Sequence, residues 1–480
     1  MPGAPDRGYI NDIKADLFDE NTAYLALDNH KNGDYKPYLY MTTNKGKSWK
    51  CISSNIPENN YVWRIVQDHI NPNLLFVGTE FGLYFTVDGG EHWKQIKSGV
   101  PTISFRDLAI QRRENDLVAA SFGRSIYILD DYSFLRDLTP ELVEKDAAML
   151  AMRNAYLYTP VNDGRGKDGY LGSQEYVAEN PEYGAVFTYY LKGEQTLKTA
   201  ERTKKEKELN KAGTDIDFAG WDVLLAEKNE TKEQHWVVIT DVENKVVRKM
   251  QVPSGKGLHR FTWDFSAENA MPINTGEKLN ENKNGGFRVG PGTYRITLYY
   301  VHQGKATPLT TPKSFDVIPL YPGTLPSKND GVKNTFIAQY VAVSSRKSLL
   351  EYDFNQAKKQ ASAMELALKR SPNSLGALES ELVDLNNELR NLDLLLEGNP
   401  LKDEVGEKNI PTINERIWAA SSALWGGNGY GPTTTAQQSL DIAERMLADF
   451  DAKLAVIKLK AATIYEELKK SGAPVIRGME

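Results

Sequence analysis

The sequence predicts a multi-domain chain that is mainly β in its first two-thirds and α thereafter. Three observations carry this. At 480 residues the chain has room for about three domains of ~150 residues each. Short segments with apolar residues at every second position, separated by polar turns, run as far as Ile318. From Asn334 onward that period gives way to apolar steps of three and four. The tryptophans follow the same divide: Trp49, Trp63, Trp93, Trp221, Trp236 and Trp263 come early, and only Trp418 and Trp425 lie beyond.

Within residues 1–135, three stretches can be laid over one another: Ile10–Trp49, Val62–Trp93 and Phe105–Asp131. Each has an alternating strand, a polar turn (DEN, NPN, REND), a second apolar strand and a third rich in Tyr, Ile and Leu. A unit of about 40 residues and four strands cannot bury both faces alone, and stacking such units makes a β-propeller. Residues 1–135 are thus expected to form a partial β-propeller of about three blades. A ring needs at least about four, so further blades are expected from a longer protein or from another chain. The opening Met1-Pro2-Gly3, directly before a strand, fits a truncated piece.

Two of the units share a turn. Thr42, Asn44, Gly46 and Trp49 have the spacing of Thr86, Asp88, Gly90 and Trp93, recurring 44 positions on. In such a turn the Asp or Asn accepts backbone N–H bonds, the Gly takes a positive φ and the Trp packs back across the hairpin. The motif resembles the Asp-box, or BNR repeat, of sialidases, xyloglucanase-type glycoside hydrolases and sortilin-type propellers. That resemblance implies a structural role for these eight residues, away from the active centre.

Residues 136–184 read as a linker, with Thr139-Pro140 opening a short helical turn and a Gly- and Asp-rich loop over 162–172. Residues 185–320 then alternate through AVFTYYL, WDVLL, HWVVITD, KVVRKMQV, LHRFTWDF, GTYRITLYY and PKSFDVI, the spacing of a β-sandwich. A charged insertion at 192–215 reads as a solvated helical or disordered excursion whose charges nearly cancel. GLHRFTWDF and VGPGTYRITLYY resemble the flagellar-hook-cap type of Ig-like domain, which implies an Ig-like β-sandwich with Trp263 and Tyr294 in its core. Over 331–475, Leu378, Leu382, Leu385, Leu389, Leu392 and Leu396 draw one apolar stripe, and 411–424 and 436–470 continue the period. A C-terminal antiparallel helical bundle is expected there, with Gly426–Gly429 as an interhelical turn.

Composition excludes several functions. Lys+Arg 58 against Asp+Glu 64 gives a net charge of −6, which offers nucleic acid no basic field. No apolar run reaches the ~18 residues of a membrane span, and the opening residues do not read as a signal peptide. The lone Cys51 excludes an intrachain disulfide, and on a strand it is expected to be a buried, inert thiol. The six histidines (His30, His69, His92, His235, His259, His302) show no ligand spacing, so neither metal nor cofactor is expected.

A glycosidase needs two carboxyls about 5–10 Å apart. The carboxyls near strand ends are Asp28, Glu80, Asp107, Asp116, Asp130 and Asp131, and the arginines are Arg106 and Arg124. None falls in a catalytic motif. Glu80, Arg106, Asp107 and Arg124 are carried as ligand-face candidates, and no catalytic residue is assigned. In its order of elements the chain resembles the C-terminal half of bacterial BNR-repeat "glycosyl hydrolase" or sortilin-like proteins. The resemblance implies a periplasmic, cell-surface or secreted scaffold that binds a polysaccharide or a protein or peptide, with homo-oligomers or missing N-terminal blades as partners. Two alternatives stay open: a glycoside hydrolase of xyloglucanase or sialidase type, its carboxylates in absent blades, and a sortilin-like peptide-binding propeller.

Overall fold

The computed structural model describes residues 1–158, 160, 182–193, 197–277, 285–321, 330–372, 376–425 and 431–479. The chain divides into two units: Met1–Tyr156 with Ala178–Asp264 and Gly292–Ile318, and Leu157–Val177 with Phe265–Pro291 and Pro319–Glu480.

The first unit opens with three antiparallel meanders. β1 (Tyr9–Ala15), β2 (Ala23–Asn29), β3 (Asp34–Thr42) and β4 (Lys50–Cys51) form one sheet in chain order. β5 (Val62–Gln67), β6 (Leu75–Thr79), β7 (Gly82–Thr86) and β8 (Lys94–Ile96) form the second, and β9 (Phe105–Gln111), β10 (Asp116–Ser121) and β11 (Ile126–Leu129) the third. The first strand of each sheet lies against the sheet before it, β5 on β1 and β2, and β9 on β5 and β6.

Strand alternation explains the stacking. Tyr24 and Ala26 of β2 face the second sheet with Val62, Ile65, Leu75 and Val77, whereas Leu25 and Leu27 face away toward Tyr40. Both faces of β6 are covered, Leu75 and Val77 on one side and Phe76, with Leu74 just before the strand, on the other, hence its apolar run. At Gly78 the third sheet comes so close that a Cβ would collide with the Phe105 carbonyl oxygen. Glycine is therefore required there by contact between sheets. The Cys51 expectation needs correction. The thiol is exposed, because β4 is a two-residue strand at the sheet edge, and its sulfur lies 3.3 Å from Ser53 Oγ.

Beyond the third sheet, Asp131 caps a 3-10 turn (Tyr132–Asp137), and α1 (Pro140–Val143) starts on a Thr139 cap. Two further sheets follow in this unit. One orders Ala147–Met149, Ala185–Leu191 and Gly257–Trp263; the other joins Ala155–Leu157, Lys313–Pro319, Gly292–His302, Gln234–Thr240 and Val246–Val252. Aromatic side chains meet between them: Phe187 and Phe315 are 4.9 Å apart, Trp263 and Tyr294 5.6 Å. Trp263 is fully buried.

Two readings change. The stretch expected to be a linker supplies two short strands, Ala147–Met149 and Ala155–Leu157; its loop at 162–172 lies outside the described residues. WDVLL is no strand. It begins α3 (Trp221–Lys228), which follows α2 (Lys198–Lys211), and Arg202 of α2 donates to both carboxylate oxygens of Glu227 at 3.0 and 2.9 Å. Leu, Ala, Glu and Lys are strong helix formers, and no neighbouring strand covers Trp221, Val223 or Leu225, all exposed.

The second unit is mostly helical: α4 (Asp330–Lys369), α5 (Ala377–Glu397), α6 (Pro400–Glu404), α7 (Ile413–Trp425) and α8 (Thr434–Lys470). Leu382, Leu385, Leu389, Leu392 and Leu396 of α5 are buried among Phe354, Met364, Leu447 and Phe450. Arg346 pairs with Asp451 and Asp353 with Lys458, so α4 and α8 run parallel. Lys358 with Asp393 and Glu365 with Asn386 set α5 antiparallel to α4. α4, α5 and α8 thus run up, down and up. Gly426–Gly429 lies outside the described residues. A hairpin of Ser266–Glu268 and Gly285–Arg288 places Phe287 5.3 Å from Tyr340 of α4. No described helix is long and apolar enough to cross a membrane.

Candidate functional site

In an antiparallel meander, successive turns alternate between two ends. The β2–β3, β6–β7 and β10–β11 turns and the entries to β5 and β9 share one rim, called upper here. The β3–β4, β5–β6, β7–β8 and β9–β10 turns share the lower rim.

The two motif-bearing turns lie on the lower rim and are closed by the same bonds. The Thr42 hydroxyl donates to Asn44 Oδ1 (3.0 Å) and accepts from the Gly46 N–H (3.0 Å). Thr86 does the same with Asp88 (2.6 Å) and Gly90 (3.1 Å). Asn44 Oδ1 accepts from Ser48 N and Asp88 Oδ1 from His92 N, both at 2.9 Å. Trp93 is buried and donates from Nε1 to the Ile52 carbonyl at 2.6 Å, whereas Trp49 is half-buried. Gly90, at φ 99°, would drive a Cβ to 3.0 Å from Ile52.

Next to these turns lies a buried ion pair. Asp68, in the β5–β6 turn, accepts from Tyr132 Oη (2.6 Å), Arg136 Nε (2.8 Å), Arg136 Nη2 (2.8 Å) and Asn71 N (2.7 Å). Burial alone would raise its pKa; the donors from Arg136 and Tyr132 outweigh it and hold the carboxyl at about 2.

The upper rim carries the candidate site. Overlaying the first strands puts Asp12, Arg64 and Asp107 at one register position and Asn11, Trp63 and Arg106 at the one before. The first row is in contact throughout, and in the second Trp63 and Arg106 meet while Asn11 Nδ2 donates to the Val62 carbonyl at 2.8 Å. Arg64 Nη1 donates to Asp12 Oδ1 at 3.2 Å, and its Nε lies 2.9 Å from Asp107 Oδ1. The Arg106 guanidinium lies against two rings, 4.2 Å from the centre of Trp63 and 4.0 Å from that of Phe122. Trp63 Nε1 donates to Glu80 Oε2 at 2.9 Å. Tyr61 meets Trp63 at 5.2 Å and stacks on His30 at 5.0 Å and 10°. Burial, and next to it the Glu80 carboxylate, push the Tyr61 hydroxyl up to about 12, so it stays a neutral donor at ordinary pH.

His30 Nδ1 in turn lies 2.5 Å from Asp28 Oδ1. Asp28 is 1% exposed, and its Oδ2 has no hydrogen-bond partner among the described residues. Around this half-buried cluster stand exposed rings: Tyr9, Tyr35, Phe81 and Phe122.

Of the sequence candidates, the structure brings Glu80 and Arg106 to Trp63 and ties Asp107 to Arg64. Arg124 is exposed in the Phe122 turn and makes no ion pair among the described residues. Asp116 accepts from Asp131 N at 2.9 Å, Asp131 caps Ser133, and the Asp130 carbonyl accepts from Arg260 at 2.9 Å, none of them on this rim. His30, Tyr35, Tyr61 and Trp63 were not foreseen as site residues. The register of the first strands was the available signal for Trp63, since it makes Trp63 and Arg106 neighbours. No group of three or more His, Cys, Asp or Glu among the described residues could hold a metal ion.

No family model and no curated protein matches this sequence. Among solved structures, the chain is similar to an ancestral GH74 enzyme at 25% identity and TM-score 0.21, over 24% of this chain and 14% of that one. It is similar to the extracellular domain of a hybrid two component system from B. thetaiotaomicron at 12% identity and TM-score 0.20, over 65% and 30%. The GH74 xyloglucanase from Xanthomonas campestris gives 12% and 0.20, over 62% and 38%. The chain thus spans well under two thirds of each of these structures.

Proposed function

We propose that this chain is a binding module of the cell envelope, that its three meanders are blades of a larger propeller, and that their upper rim is a glycan-binding face. Packed beside them, the two aromatic-bridged sheets would be an Ig-like spacer, and the helices an orienting or oligomerising bundle. The single observation behind the reading is the convergence of exposed Tyr9, Tyr35, Phe81 and Phe122 on the Trp63 cluster. Isolated exposed rings are ordinary, but several on one rim beside fixed charges mark an interaction site. Ring faces cover the apolar C–H faces of a sugar while carboxylates and guanidinium groups bond its hydroxyls. The lower rim, by contrast, spends its polar groups on closing turns.

The test is affinity electrophoresis of the purified chain in gels containing soluble polysaccharides. Retardation by at least one polysaccharide, lost in Trp63→Ala and Tyr35→Ala, is the expected result. Release of reducing sugar that disappears in Asp28→Asn, Glu80→Gln or Asp107→Asn would replace binding with hydrolysis. Retardation by none, together with enrichment of extended peptides, would favour the peptide-binding reading.

A further inference from the structure

Resting on that reading, we propose that the upper rim selects an acidic glycan, and that Arg106 takes the carboxylate of a uronic acid unit. The argument starts from where the charges on this rim are already spent. Arg64 is held by Asp12 and Asp107. Glu80 accepts from Trp63, and Asp28 is bound to His30. Arg106 has no such partner. Its Nε lies 3.4 Å from Ser104 Oγ, and its Nη1 and Nη2 have no hydrogen-bond or ion-pair partner among the described residues.

Stacking determines which part of this guanidinium is on offer. Trp63 and Phe122 both lie against the guanidinium, their ring centres 4.2 and 4.0 Å from its carbon, and on this exposed residue the N–H groups not turned to the two rings are those left for a ligand. Two parallel N–H groups at fixed spacing match the two oxygens of a carboxylate, a geometry a lysine cannot supply. Because the rings already restrict the side chain, little rotamer freedom is left to lose on binding. Arg124, exposed on the same turn as Phe122, adds a second positive charge without a counter-ion among the described residues.

A sugar is favoured over an acidic peptide by what surrounds the edge. Phe122, which carries the cation, is itself 65% exposed, and Phe81, next to Glu80 in the chain, is 43% exposed, so apolar ring surface is open on the same rim. A uronic acid brings a carboxylate and an adjoining C–H face on one rigid ring. An acidic side chain brings the charge on a flexible methylene stem, with no ring face to lay on an aromatic ring.

The experiment is isothermal titration calorimetry of the full chain with three probes: a tetragalacturonate, its fully methyl-esterified form and a tetraglutamate peptide. Wild type is expected to bind the acid at least about tenfold more tightly than the ester. Arg106→Gln should bind acid and ester alike, and Arg106→Lys should keep some preference while losing about tenfold in affinity. Unchanged circular dichroism and melting temperature would show that both variants fold. Acid preference persisting in Arg106→Gln overturns the assignment. Equal binding of acid and ester by wild type also overturns it, while leaving the glycan face in place. Tetraglutamate binding as tightly as the tetragalacturonate would mean that charge alone is read, which sinks the sugar. Failure of every sugar, acidic or neutral, removes the glycan reading itself.

Discussion

The two rims of the stacked sheets use the same residue types to opposite ends. On the lower rim, an aspartate, an arginine and a tyrosine meet at Asp68, Arg136 and Tyr132, and Asp68 accepts at least four hydrogen bonds. On the upper rim, Asp28, Arg106 and Tyr61 lie in one cluster, yet Asp28 Oδ2 and the Arg106 Nη atoms have no partner among the described residues. A satisfied network rigidifies a turn; an unsatisfied one keeps donors and acceptors in reserve. The contrast teaches that composition does not separate a structural cluster from a binding one. What separates them is how many bonds remain to be made.

The largest expected effect that would break this comparison is on the lower rim. Asp68→Ala strands the Arg136 charge, and breaking one partner of such a pair costs about 3–5 kcal/mol. Hydrogen exchange of the β5 and β6 amides reports it. Loss of protection there with glycan affinity intact is expected, and unchanged protection would refute the structural role.

The same carboxylate gives a pH signature. Its folded pKa, about 2, lies below the unfolded value of about 3.9. Its contribution is therefore complete above about pH 4 and disappears as pH falls through 2, whereas alkaline pH leaves it untouched. Acid unfolding of wild type, followed at pH 5, 4, 3 and 2, should lose more protection in β5 and β6 than the already weakened Asp68→Asn variant does. Parallel curves would show that the carboxylate is not titrating as stated.

On the upper rim, Trp63→Ala removes the ring between Tyr61 and Arg106. It is expected to cost about 2 kcal/mol of ligand affinity, roughly thirtyfold. Protection of the lower-rim turns should stay as in wild type; if those turns open as well, the rims are not separate.

Gly90→Ala sets a Cβ against Ile52 at a positive φ and should destabilise by about 1–3 kcal/mol, seen as opening of the β7–β8 turn. Smallest of all, Cys51→Ser on the exposed edge strand should stay within about 0.5 kcal/mol in denaturant unfolding and abolish labelling by a thiol reagent. A Cys51 thiol that resists labelling in wild type would contradict its exposure.

The sequence made parts of this legible and not others, for physical reasons. The meanders could be read because alternation records which face of a strand is covered: Tyr24 and Ala26 face one way, Leu25 and Leu27 the other. The Leu382–Leu396 stripe was visible for the same reason at helical period. Trp221–Lys228 was misread because Trp221, Val223 and Leu225 fall at every second position over five residues, too short a stretch to distinguish a strand from a helix. Cys51 was misplaced because edge position depends on how many strands follow, which local pattern does not record. At the candidate site, Glu80, Arg106 and Asp107 stood out as charges near strand ends. His30 and Tyr61 did not, since what joins them is stacking between residues 31 positions apart, a relation only the closed fold creates.

Asp12, Arg64 and Asp107 stand side by side at one register position of three successive sheets, negative, positive, negative. Such a row imposes a grammar on the growth of the array by gene duplication. Copying the middle unit alone would set a second Arg64 beside the first, two guanidinium groups with no anion between them. Copying units in pairs preserves the alternation. An array built on this row lengthens without electrostatic conflict in steps of two.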